Sequence, residues 1–139
     1  MIKNNGHGWG TFKLGDFTGR LSYIEDVPVD LLQAFIDWHD KGSGCAWIDE
    51  EGTEFTLVLT PYSMYVIIER DGIELVDLSE LKIEEIEKEL IEDIESDLVG
   101  WSEFLLTDDI EEIKLHREII CTRLSRLKAL SIVKALRGD

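Results

Sequence analysis

Eighteen consecutive residues, 81 to 98, carry eight carboxylates and two lysines, the densest charge in the chain. Glu85, Glu89, Asp93 and Asp97 recur at every fourth position. On a helix this spacing forms a ladder of like charges along one flank, each neighbouring pair disfavouring the isolated helix by about 0.2–0.5 kcal/mol. Glu92 belongs to the same acidic segment, and Glu50, Glu51 and Glu54 form a second, shorter cluster. Such a surface favours encounter with a basic partner, or maintains solubility. Glu87 stands apart, because it projects close to the apolar stripe of the same helix. It must either lie at the rim or find a basic partner inside the fold.

Other chemistry is sparse. His7, His39 and His116 have no ligand-type partner at i+3 or i+4, so no zinc pattern is read. Residues 49–54 offer oxygen ligands without the spacing of an EF-hand loop and read as a hairpin turn. No GxSxG is present, and neither Cys45 nor Cys121 lies beside a histidine. Both read as reduced packing thiols. His39, near the C-terminal end of its helix, is expected to interact with the helix terminus. The glycines of NNGHGWG lack a preceding strand, a following helix and a lysine at phosphate-loop spacing, so a flexible N-terminus entering a strand is expected. Four tryptophans are read as core first. No catalytic residue, metal or cofactor is expected.

The elements that position these groups follow from periodicity. Trp9–Leu14 and 17–24 flank Gly15-Asp16 as a hairpin. Pro28 and Asp30 open a helix with Leu31, Leu32, Phe35 and Ile36 on its apolar face, closed by Gly42. Four strands then form an antiparallel meander. They comprise 45–49, the alternating 53–60, the run 63–69 that is apolar on both sides, and the segment beyond Asp71-Gly72. Apolarity on both sides of 63–69 predicts a central strand covered on both faces. Ile83, Ile86, Leu90, Ile94 and Leu98 form the stripe of the acidic helix, which Gly100 ends. Thr107 or Asp108 is expected to cap a last helix, whose register fades after Lys128. The tail 129–139 is therefore read as irregular or at an interface. The fold class is α+β: one domain, residues 1–139, with an antiparallel sheet built of hairpin plus meander. One helix is inserted between them, and two C-terminal helices pack on the sheet.

The net charge of −16 argues against nucleic acid and against anionic lipid. Residues 1–78 carry −9, residues 79–113 carry −12 and residues 114–139 carry +5, so the acidic helix is followed directly by a basic one. Internal pairing with Lys114, Arg117, Arg123, Arg126 and Lys128 cannot cancel the whole surplus. No apolar run has signal-peptide or membrane-spanning character, and a cytoplasmic location is expected. The functional expectation is a small non-catalytic protein that engages a basic protein partner. Neutralisation of a toxin, in the manner of immunity proteins and antitoxins, is one form of that engagement; the likeness to those classes lies in size, charge and lack of catalytic machinery, with no shared motif. The alternatives are an enzyme or small-ligand binder using Tyr62, Tyr65, His39 or Trp47, and an oligomeric subunit joined through the C-terminal tail.

Overall fold

Alternating side chains with turn residues between them lay down seven strands, described in a computed structural model covering residues 1–138. They are β1 (Ile2–Gly6), β2 (Trp9–Leu14), β3 (Phe17–Ser22), β4 (Gly44–Asp49), β5 (Glu54–Leu59), β6 (Met64–Glu69) and β7 (Ile73–Asp77). The helices are α1 (Val27–Lys41), α2 (Ile83–Glu95), α3 (Leu98–Ser102) and α4 (Ile110–Arg137). The α+β class and the four-strand antiparallel meander hold as expected.

The N-terminal hairpin grows to three strands. Residues 2–6 pair with β2 rather than trailing into it, and Gly6, His7 and Gly8 make the turn with positive φ. Glycine accepts that conformation at little cost, so NNGHGWG is turn chemistry. β1–β2–β3 is a separate sheet that packs against the inner face of β4–β7. Phe12 and Phe17 meet Phe55 with ring centroids 4.9 and 5.0 Å apart. The close approach needs Gly19, where a Cβ would stand 2.4 Å from the Phe55 ring.

Helices cover the rest of this core. α1 buries Leu31, Leu32, Phe35 and Ile36, with Pro28 in its first turn and Gly42 as a left-handed C-cap. α2 buries Ile83, Ile86, Leu90, Ile91 and Ile94. It stops at Glu95 rather than Gly100, because Asp97 caps the short α3 by accepting from the Gly100 amide at 3.2 Å. Asp109, not Thr107 or Asp108, caps α4, accepting from the Glu111 and Glu112 amides. α4 lies parallel to α1: His116 meets Asp26, Arg123 meets Gln33 and Arg126 meets Asp40. Against α2 it runs antiparallel, with Lys128 at Glu95 and Lys134 at Glu84. The tail expected to be irregular continues as helix to Arg137. Leu130 packs on the core and Lys134 lies 5.0 Å over the Trp38 ring, which holds the last turns in place.

Candidate interaction surface

The pleat of β4–β7 turns Ala46, Ile48, Phe55, Leu57, Val66 and Ile68 inward and leaves the opposite side chains with no layer over them. One cross-strand row on that outer side is Trp47, Thr56, Ile67 and Leu75. The next is Cys45, Val58, Tyr65 and Asp77, and a third is Asp49, Glu54, Glu69 and Ile73. Trp47 is 47% exposed, Leu75 59% and Ile73 78%. The expectation that residues 63–69 are covered on both faces fails for this reason. β6 is interior in strand order, but Tyr65 and Ile67 are only half-buried. Cys45 is likewise exposed rather than a packing thiol, and Trp47 is not core, whereas Trp38 and Trp101 are.

The third row is acidic. Asp49, Glu54 and Glu69 are direct cross-strand neighbours, and none of the twelve positions is lysine or arginine. Like charges directly opposite one another destabilise a sheet. Glu54 is oriented by the Trp47 indole N–H, which donates to its Oε2 at 2.5 Å.

The other acids singled out by sequence have different fates. Glu50 is buried and joins the two sheets. Its carboxylate accepts from Arg70 at 2.6 and 3.1 Å, from the Arg20 amide at 3.0 Å and from the Thr53 hydroxyl at 2.9 Å. Burial pushes its pKa up, but these bonds outweigh burial and hold it below the ordinary value. Glu51, at the turn apex, accepts from Ser22 Oγ at 2.5 Å. In the α2 ladder, Asp93 accepts from the Met1 amino group at 2.7 Å, and Glu89 bonds the same group. Asp97 is the α3 cap. Glu85 and Glu92 are exposed and enter no ion pair among the described residues. The ladder therefore splits between internal fastening and open charge. The basic residues of α4 are divided among its neighbours: Arg117 donates to Ser102 of α3, Arg123 to Gln33 and Arg126 to Asp40 of α1, and Lys128 and Lys134 pair with Glu95 and Glu84 of α2.

Two histidines meet carboxylates inside the helical layer. His39 Nε2 lies 2.5 Å from Oε1 of the buried Glu87, so Glu87 does find a basic partner in the fold. Burial holds the Glu87 pKa above the usual carboxylate value, against the opposing bonds from His39 and Ser131. A pocket of about 240 Å³ opens beside His39, with Trp38, Pro61 and Lys134 in its walls. Tyr62 is almost fully exposed, and Trp47 and Tyr65 lie on the outer sheet face, so the four residues of the pocket alternative do not converge. His116 bonds Asp26 Oδ1 at 2.8 Å and the Ser102 carbonyl at 3.0 Å. Both partners are acceptors, so the pair of contacts favours the protonated imidazole, in which both ring nitrogens donate. Its pKa is raised by the Asp26 bond first, with burial opposing and the Ser102 carbonyl adding.

Among the described residues no group of three or more histidine, cysteine, aspartate or glutamate side chains is placed to hold a metal, and no helix is long and apolar enough to cross a membrane. Comparison with protein-family models, curated proteins and solved structures returns no match.

Proposed function

We propose that this chain is a non-catalytic binding protein that engages a basic protein partner through the outer face of β4–β7. The observation that carries this reading is an uncovered apolar face whose only charged side chains are carboxylates. Trp47, Val58, Tyr65, Ile67, Leu75 and Ile73 supply a dewettable centre of the kind that anchors protein interfaces. Asp49, Glu54 and Glu69 repel one another in the free protein, and lysine or arginine side chains from a partner relieve that repulsion on binding. The complementary partner carries an apolar ridge with basic side chains at one end. Glu85 and Glu92 on α2 add to the long-range field that steers such a partner without lying on the contact face. A toxin domain with a cationic surface, neutralised in the manner of an immunity protein or antitoxin, is one partner of the required chemistry.

The test is capture of partners from the native cell lysate at low and moderate salt, followed by hydrogen-exchange mapping of the recovered complex. The wild-type chain is compared with Ile67→Glu, with Glu54→Lys/Glu69→Lys, and with Glu85→Lys/Glu92→Lys. Recovery of a basic protein that protects β4–β7 amides and is lost with the first two variants supports the reading. Equal recovery by all variants, or protection confined to α2, sinks it.

A further inference from the structure

The outer face of the other sheet has the opposite character. Lys3, Thr11 and Arg20 form one cross-strand row, and Lys13 and Thr18 are paired beside it. Arg70 reaches the same side from the end of β6, donating to the Thr18 carbonyl at 3.2 Å. Three of the chain's fourteen lysines and arginines thus lie on a three-stranded sheet and a fourth, Arg70, joins them, in a molecule of net charge −16. A groove of about 570 Å³ opens among Asn5, Trp9, Thr11, Thr18, Arg20 and Arg70, a size suited to a small molecule. Arg20 lies 5.1 Å over the Trp9 ring, and its Nε and Nη2 donate to the Glu50 carbonyl. Arg70 uses Nε and Nη2 on the Glu50 carboxylate. None of these bonds uses Nη1 of either guanidinium. Lys3 and Lys13 are exposed and enter no ion pair among the described residues. The carboxylate that lines the groove, Glu50, is engaged by the Arg70 guanidinium and the Arg20 amide.

We propose that the outer face of β1–β3 is a binding site for a small multiply charged organic anion, whose phosphate or carboxylate groups are held by Arg20 and Arg70 and flanked by Lys3 and Lys13. The N–H groups of each guanidinium that Glu50 leaves free can donate to oxygens of either anionic group. Glu50 fixes the two forks before any ligand arrives, which removes part of the ordering cost of binding. Asn5 and the threonine hydroxyls supply neutral hydrogen bonds for the rest of the ligand, with Asn5 already oriented by a 2.8 Å bond to Thr11 Oγ1. The compactness of the anion matters. A long polyanion extends past the groove and meets the acidic remainder of the surface, whereas a small ligand contacts only the cationic patch. This site lies on the other sheet from the protein-binding face and stands independently of it.

The experiment is a titration of the ¹⁵N-labelled protein at constant ionic strength, in separate arms, with inorganic phosphate, citrate and sodium chloride. Saturable shifts at Thr11, Thr18 and the Arg20 and Arg70 Nε–H groups are expected with phosphate, citrate or both, and not with chloride. Saturation by phosphate alone identifies a phosphorylated ligand class, and by citrate alone a polycarboxylate. Lys3→Glu/Lys13→Glu is expected to weaken the affinity about tenfold. The milder Lys3→Ala/Lys13→Ala, expected to weaken it about threefold, carries the comparison if charge reversal disturbs the fold. Absence of saturation, or unchanged affinity in the lysine variants, overturns the proposal. A short single-stranded oligonucleotide that moves the same signals while both small anions leave them still also overturns it.

Discussion

Glu50 and His116 show how a residue's type sets its range of roles while its neighbours choose one. Glu50 sits in a turn where exposure is the ordinary fate of a glutamate, yet it is buried because two arginines and a threonine converge on it. Glu50→Gln keeps the shape and removes the charge, and is expected to cost about 2–3 kcal/mol by weakening the bonds to a partly exposed Arg70. Urea unfolding checks this as a lower midpoint at unchanged slope. Because its folded pKa is depressed, its contribution is present above the ordinary value of 4.5 and is lost as pH falls through the lowered one. His116 has the opposite sign. Its folded pKa is raised, so its contribution is complete below 6.5 and fades as pH rises through the elevated folded value. An NMR titration of its ring protons is expected to give a midpoint above 6.5, and His116→Gln to flatten the stability profile across that window. A midpoint at or below 6.5 refutes the doubly bonded cation. Nothing in the sequence singled out these pairings, because Asp26 and His116 are ninety positions apart.

Strands and helices were legible where periodicity is strong. β5 alternates cleanly, the α2 stripe recurs at helical spacing, and Asp71-Gly72 marks a hairpin, so each was readable from local residues. What local residues do not encode is which of two apolar faces receives a cover. β6 reads as buried on both sides, but the chain has one three-stranded sheet and its helices to place, and both go to the inner face. Gly19 is the element-scale hinge of that choice, since its missing side chain admits the Phe55 ring. Gly19→Ala is expected to destabilise by about 1–3 kcal/mol through overpacking between the sheets. Ile67→Glu, on the uncovered side of β6, is expected to cost no more than about 1 kcal/mol, from lost strand propensity and cross-strand contact. Thermal or urea unfolding of the two variants distinguishes the faces directly. A large loss in Ile67→Glu would mean that the outer face is not free.

Across the whole molecule the charges are sorted by face. The outer side of β4–β7 carries carboxylates and no cation, the outer side of β1–β3 carries lysines and arginines, and the basic residues of α4 are divided among α1, α2 and α3. Electrostatic steering predicts that the association rate with a basic partner falls on the order of tenfold from low to physiological ionic strength, with dissociation little changed. Trp47→Ala is expected to act the other way, speeding dissociation and leaving association nearly constant. Stopped-flow measurements with the captured partner separate the two. The sequence by itself determined the α+β class, the meander, the amphipathic helices and the acidic surplus, because each follows from spacing along the chain or from composition. Only the tertiary structure decided that Glu50, Glu89, Asp93 and Asp97 are engaged internally, that Trp47 and Ile67 face outward, and that Lys3, Lys13, Arg20 and Arg70 share one face. Those outcomes depend on which surfaces meet across the fold, and a contact between distant residues leaves no period in the sequence.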